Sequence, residues 1–178
     1  VVAVGFINLG VALGVWYSFS VFFLAIINEF GWSRASGSSI FSIFLISHAL
    51  MGPLTGYLQD RFGARVVIPV GAFILTIALF VTSFSQSLLY MTFTYGLFAG
   101  VGVSLMGFTS HAAVIPKWFE RKRGLAVGIT MSGIGFGMLI LVPLVERFIT
   151  FFGWRMAYVY LAAFVLLLVA PLNLIFSR

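Results

Sequence analysis

The sequence has no cysteine and few charged residues. Without cysteine it can form neither disulfide bonds nor thiolate metal sites. Charged residues make up 8% of its 178 residues, against roughly 25% in soluble domains. The alternation of apolar and polar residues that marks an outer-membrane barrel is also missing. These absences argue against a soluble enzyme or a barrel, and the sequence indicates no metal site and no cofactor.

Long apolar runs are what the sequence does contain. Hydrophobic residues make up 62% of the chain and its mean hydropathy is +1.17. Six runs are each long enough to cross a bilayer core of roughly 30 Å as a helix. The predicted spans are about residues 1–27, 34–58, 66–83, 88–115, 124–145 and 154–176. We therefore expect an all-α membrane protein, a six-helix bundle in which short gaps make neighbouring helices antiparallel.

The basic residues predict how this bundle is oriented. Seven of the ten fall on one side of the predicted membrane, namely Arg61, Arg65, Lys117, Arg121, Lys122, Arg123 and Arg178. By the positive-inside rule that side is cytoplasmic, with both ends of the segment, in a plasma membrane or a bacterial inner membrane. Trp32 and Trp154 on the other side are predicted interface anchors. Because the net charge of +6 is spread over separate gaps, the expected partner is membrane lipid and not nucleic acid.

Both ends of the sequence lie at or within apolar runs, so we expect it to be a piece of a longer protein. Five GxxxG pairs predict close helix contacts, because small residues four apart let helix backbones approach in lipid. The pairs are Gly10/Gly14, Gly52/Gly56, Gly96/Gly100, Gly124/Gly128 and Gly133/Gly137. Packing alone explains most of them.

The stretch "GYLQDRFGAR" between the second and third spans concentrates charge. Asp60 lies at the C-terminal end of the second helix, where a carboxylate meets the negative pole of the helix dipole. Gly56 would let another helix pack close to it, and Gly63 permits a tight reversal. Two interpretations remain: a conditional clamp in which Asp60, Arg61 and Arg65 engage a second element, or a plain positive-inside loop.

This stretch resembles the loop signature of the major facilitator superfamily, G-x-L-x-D-R-x-G-R-R. The matching residues are Gly56, Leu58, Asp60, Arg61, Gly63 and Arg65, and Ala64 departs from it. In addition, "GVWYSFSVF" and "KWFERKRGLAVGITMSGIGFG" resemble the monocarboxylate porter and oxalate–formate antiporter branch. The resemblance implies a three-plus-three inverted repeat, half of a twelve-helix fold whose C-terminal six-helix half is absent. It also implies a conformational-switch loop and alternating-access transport of a small-molecule substrate, such as a mono- or dicarboxylate.

Cavity candidates come from the first and fourth spans, which carry the most interior polarity. Tyr17 shares a helical stripe with Gly10 and Gly14, and the resemblance implies that it lines the cavity. Animal monocarboxylate members carry a lysine at the position where we place Tyr17. A second stripe holds Ser104, Phe108 and His111, of which Phe108 corresponds to an aromatic that relatives present to the substrate.

His48 and His111 are the titratable residues deep in the spans. Each is a candidate for proton coupling, or else a neutral histidine that hydrogen-bonds a neighbouring helix. No lysine or arginine lies deep in a span, so an anionic substrate would need a counter-charge from the rest of the protein. The rival functions are a complete six-helix channel or carrier, and a membrane enzyme. The sequence lacks the Gly-x-Ser-Gly and HExxH motifs that hydrolytic membrane enzymes use.

Overall fold

The computed structural model describes residues 2–108, 110–111 and 123–176, and these residues are predominantly helical. The helices are α1 (Val2–Phe30), α2 (Arg34–Phe62), α3 (Ala64–Thr82), α4 (Leu88–Met106) and the segment Arg123–Phe176. That last segment is divided by a turn at Gly153 into α5, residues 123–152, and α6, residues 154–176. All five segments are long and apolar enough to cross a bilayer. The expected all-α membrane bundle is confirmed.

The helices differ from the predicted spans mainly at their ends. α2 continues to Phe62 and α5 continues to residue 152, so Asp60, Glu146 and Arg147 lie on helices. α4 ends at Met106, earlier than the predicted end of the fourth span, because Gly107 leaves the helical conformation at φ −85° and ψ −149°. Part of α4, Thr92–Ala99, is wound as a π-helix. The predicted spans stop near the last apolar residues, whereas a helix can carry charged residues beyond the apolar layer.

Two turns of the bundle share one backbone conformation. Gly63 between α2 and α3 has φ 77° and ψ 157°, and Gly153 between α5 and α6 has φ 79° and ψ 160°. A positive φ is costly for any residue with a Cβ, which explains glycine at both places. The turns read "FGAR" and "FGWR" in the sequence. The predicted reversal at Gly63 is confirmed, and its counterpart lies in the second group of three helices.

Glycines let the helices pack in two equivalent pairs. A Cβ on Gly10 of α1 would lie 2.9 Å from the carbonyl oxygen of Gly133 in α5. A Cβ on Gly100 of α4 would lie 2.8 Å from the carbonyl oxygen of Phe44 in α2. The first helix of each three-helix unit thus rests on the second helix of the other unit. This exchange is the arrangement of a three-plus-three repeat.

Two of the glycine pairs face open space. Around Gly52 and Gly56 on α2, and around Gly124 and Gly128 on α5, no described atom lies within 4 Å of an added Cβ. The expectation that all five pairs pack helices therefore holds within this bundle only for the pairs on α1, α4 and the middle of α5.

Aromatic rings fill the centre of the bundle and join α1 to α4 and α6. Phe22 stacks on Tyr158 at a centroid distance of 3.8 Å, and Phe19 stacks on Tyr95 at 4.9 Å. At the end of α1, Glu29 accepts hydrogen bonds from Trp154 and Arg155. Trp154 is only 4% exposed. Its role as an interface anchor is therefore a wrong prediction, because its indole N–H is used inside the protein.

Candidate functional site

A groove that includes Tyr17 lies between α1 and α2 and has a volume of about 380 Å³. Its lining is aromatic with two serines: Trp16, Tyr17, Phe19, Ser20, Phe23, Ser38 and Phe41. The groove can accept an apolar or aromatic group and offers a few hydroxyls for hydrogen bonding.

Tyr17 stands at the edge of this groove. Its side chain is 41% exposed, whereas the adjacent Ser18 is buried and donates to the Gly14 carbonyl at 2.7 Å. Ser20 donates to the Tyr17 carbonyl at 2.9 Å. Both hydroxyls are thus satisfied by their own helix, and the phenol of Tyr17 is left on the open face.

A cluster of rings connects Tyr17 to the end of α4. Trp16 meets the ring of His48 edge-on, with centroids 4.7 Å apart, about midway along α1 and α2. A Cβ on Gly107 would lie 4.0 Å from His48 Cε1. The next residue, Phe108, is 55% exposed. Tyr17 and Phe108 therefore flank one cluster, formed by Trp16, His48 and Gly107.

Within this cluster His48 retains an unused polar atom. Its ring is half-buried, and its Nδ1 is buried without a hydrogen-bond partner among the described residues. Phe44 lies parallel to the ring at a centroid distance of 6.4 Å. Buried polar atoms are normally paired, so this atom is a candidate acceptor or donor for a ligand or a proton.

Ser104 and His111, the other two cavity candidates, are turned into the bundle. Ser104 is buried, and its hydroxyl lies 3.3 Å from that of Thr55 on α2. His111 is 4% exposed and lies between the Gly107 carbonyl and the side chain of Asn8. The stripe of Ser104, Phe108 and His111 is split because the helix ends at Met106, and Phe108 alone of the three is exposed.

Three side chains that contact the candidate residues or each other were not singled out from the sequence: Trp16, Asn8 and Asn173. Asn8 and Asn173 exchange two hydrogen bonds of 2.9 and 3.0 Å between α1 and α6. The sequence signal that could have identified the two asparagines is an isolated amide in each apolar run, since an amide in lipid requires a hydrogen-bond partner. Nothing local in the sequence indicates which partner it finds.

The predicted switch loop forms the end of α2 and the turn after it. Asp60 is exposed in the last turn of the helix, and Arg61 donates to the Tyr57 hydroxyl at 3.0 Å. Arg65 is exposed at the start of α3, and the face around Gly56 is open. The switching role of this loop stays a prediction. Within the described ranges, no group of three or more His, Cys, Asp or Glu residues could hold a metal ion.

Comparison with known proteins identifies the family of this chain. Residues 4–178 match the Major Facilitator Superfamily model. Monocarboxylate transporter 12 of Xenopus laevis is 36% identical over 146 residues, which is 82% of this chain and 32% of that protein. Monocarboxylate transporter 13 of Bos taurus is 31% identical over 170 residues, 96% of this chain and 40% of that protein.

A further relative is named for a different solute. Riboflavin transporter RibJ of Trypanosoma brucei brucei is 35% identical over 114 residues, 64% of this chain and 21% of that protein. The chain spans about a third of the length of the monocarboxylate transporters it matches. The match of nearly the whole chain agrees with the paired three-helix units and the apolar helices. The chain therefore belongs to the Major Facilitator Superfamily of membrane transporters and is similar to its monocarboxylate transporter branch.

Proposed function

We propose that this chain is the N-terminal six-helix half of a secondary transporter that moves a small organic anion by alternating access. The matched relatives are named as transporters and are considerably longer than this chain. The open glycine faces of α2 and α5 are suited to close packing against further helices of the same protein. In such folds the substrate binds near the membrane midplane between structural repeats.

The observation that carries the proposal is the exposure of Tyr17 and Phe108 on either side of the Trp16–His48 cluster. Tyr17 offers a hydroxyl that can donate to a carboxylate. Phe108 offers a rigid apolar wall against the rest of the substrate. Neither residue supplies positive charge, so we assign the counter-charge of the anion to the other half of the protein.

Substrate binding to the full-length protein, measured over a series of mono- and dicarboxylates, tests this site. Tyr17→Phe removes one hydrogen bond to a charged group, so the dissociation constant should rise about ten- to a hundredfold, or roughly 1.5–3 kcal/mol. Phe108→Ala should loosen selectivity among acids of different size more than it weakens binding of the best one. Tyr90→Phe is the matched control, because Tyr90 is exposed to a similar extent at the start of α4. Unchanged affinities and rank order in both site variants would mean that the pocket lies elsewhere.

A second candidate substrate is a planar aromatic solute. The groove between α1 and α2 is lined mainly by aromatic rings, and one relative is named as a riboflavin transporter. Including riboflavin in the same binding series separates the two candidates. Binding of riboflavin that is weakened by Phe41→Ala, without measurable binding of carboxylates, would favour the aromatic solute.

The loop from Gly56 to Arg65 is proposed to be cytoplasmic and to act as the conformational clamp that the family resemblance implies. The open face at Gly56 leaves room for a docking helix. In the full-length protein, Gly56→Val and Asp60→Asn should reduce transport while the amount of protein in the membrane changes little. Transport at the normal rate in both variants would reduce the loop to an orientation signal.

Cysteine labelling tests the proposed orientation of the chain in the membrane. A cysteine at exposed Gln86 should react with an impermeant maleimide from outside, and one at Phe62 should not. The opposite labelling pattern would contradict the orientation.

A further inference from the structure

The helix α4 is interrupted after Met106, and nearby side chains hydrogen-bond to the backbone at this interruption. After Met106 the backbone turns away at Gly107, where a Cβ would lie 2.6 Å from the Val103 carbonyl oxygen. A helix that ends inside an apolar region leaves carbonyl oxygens without their usual donors, and lipid cannot supply them. Ser110 donates to the Leu105 carbonyl, and His111 Nδ1 lies 3.0 Å from the Gly107 carbonyl oxygen. Ser110 therefore caps the last turn of α4, and the His111 ring adds a second contact to the Gly107 carbonyl, which also accepts the His111 backbone N–H at 3.4 Å.

His111 also connects this break to two other helices. Its Nε2 lies 3.4 Å from Asn8 Nδ2 on α1. Asn8 and Asn173 of α6 donate to each other's carbonyl oxygens at 2.9 and 3.0 Å, and Asn173 Nδ2 also donates to the Val169 carbonyl at 2.8 Å. All three side chains are buried. The start of α1, the end of α4 and the end of α6 are thus joined by one set of hydrogen bonds.

Counting donors and acceptors assigns the protons of this set. The Val169 carbonyl can only accept, so the Asn173 amide nitrogen must face it. The reciprocal pair then orients Asn8, whose amide nitrogen has two hydrogens: one for Asn173 and one for His111. His111 Nε2 must therefore be an unprotonated acceptor. Because the Gly107 carbonyl also only accepts, the proton of the imidazole is on Nδ1.

A charged imidazole does not fit the same geometry. A second proton on Nε2 would point at the amide hydrogens of Asn8, so two donors would face each other. To accept that proton Asn8 would have to flip, and Asn173 with it, which would turn an amide oxygen towards the Val169 carbonyl. Among the described residues, the groups that hydrogen-bond the imidazole are the neutral amide of Asn8 and the carbonyl of Gly107.

We propose that His111 is a positioning residue, neutral and protonated on Nδ1, which together with Asn8 and Asn173 fixes the break in α4 and so the direction in which Phe108 projects. This inference rests on the proposed function for the part that concerns Phe108. Under it, the protonation state of His111 does not change during transport, and the position of Phe108 depends on a buried hydrogen-bond network.

Transport by the full-length protein distinguishes positioning from proton transfer. His111→Gln keeps an acceptor for Asn8 but cannot titrate, so the pH dependence of transport should be retained. His111→Leu breaks the network and should loosen selectivity among acids in the same direction as Phe108→Ala, again with the pH profile retained. Loss of proton-driven uptake in His111→Gln, with substrate exchange intact, would overturn the proposal and make His111 a proton carrier.

A measurement without substrate keeps the network testable if the proposed substrate is wrong. Melting temperatures in detergent are compared for Asn8→Leu, His111→Leu and the double variant of the full-length protein. Because both single variants remove the Asn8–His111 hydrogen bond, the double variant should lose less stability than the sum of the two single losses. Fully additive losses would mean that Asn8 and His111 act independently, and the network would be rejected whatever the transport assays gave.

Discussion

His48 and His111 are both histidines within apolar spans, yet their surroundings are opposite. His48 lies among aromatic rings midway along α2, and its Nδ1 has no partner in the described part of the chain. His111 uses both ring nitrogens, one at the Gly107 carbonyl and one at Asn8. A titratable residue in a membrane-spanning helix is therefore not by itself a proton site. The number of partners around it separates a residue that can take up a ligand or a proton from one that already has its full set of hydrogen bonds.

The same substitution at both positions gives the largest expected contrast. His111→Phe leaves the buried Asn8 donor without its acceptor, at a cost of roughly 1–3 kcal/mol, and removes the side-chain hydrogen bond to the Gly107 carbonyl, worth about 1 kcal/mol more. That carbonyl keeps the backbone N–H of residue 111. His48→Phe retains the ring contacts with Trp16 and Phe44 and loses at most one contact with the Gly100 backbone, so it should cost about 1 kcal/mol or less. Thermal unfolding in detergent measures both. A larger loss at His48 would reverse the comparison and point to an unseen partner for its Nδ1.

A smaller effect is expected at Gly107, which lies between the two histidines. Gly107→Ala forces a Cβ against the Val103 carbonyl oxygen, with an overpacking cost of about 1–3 kcal/mol. The shift should disturb the contact of the His111 ring with the Gly107 carbonyl more than the ring contacts of His48, since the added Cβ would lie 4.0 Å from His48 Cε1. Gly52→Ala is the control, because no described atom lies near that position. Equal stability of the two alanine variants would mean that the break after Met106 adapts freely.

The elements of the fold were predictable because their signals are local. The apolar runs, the Phe-Gly turns and the glycine spacing each depend on a few neighbouring residues. The errors arose where a local signal has two meanings. The predicted fifth span stops at residue 145, although α5 continues and carries Glu146 and Arg147 on its last turns. Trp154 has the position of an interface anchor, but its N–H meets Glu29.

The candidate site was predictable only in part. Tyr17 and Phe108 are exposed, as a cavity residue must be. Ser104 is buried inside the bundle, and its hydroxyl lies within hydrogen-bonding distance of the Thr55 hydroxyl. A regular helix through position 111 would put Ser104, Phe108 and His111 on one stripe. The break at Gly107 changes the rotation of the chain between them, and no spacing rule anticipates it.

By itself the sequence determined an all-helical membrane chain, its turns and its family, because span length and turn chemistry follow from the bilayer thickness and from backbone sterics. Which glycines contact another helix follows only from the tertiary packing. Gly10 packs against α5, whereas Gly56 packs against none of the described helices. The tertiary packing also decided that Asn8 meets His111 and Asn173 whereas His48 Nδ1 meets no described partner. These outcomes depend on the rotation and depth of each helix relative to residues a hundred positions away. A helix in lipid presents similar apolar surface all round, so its own sequence leaves that rotation open until the other helices pack against it.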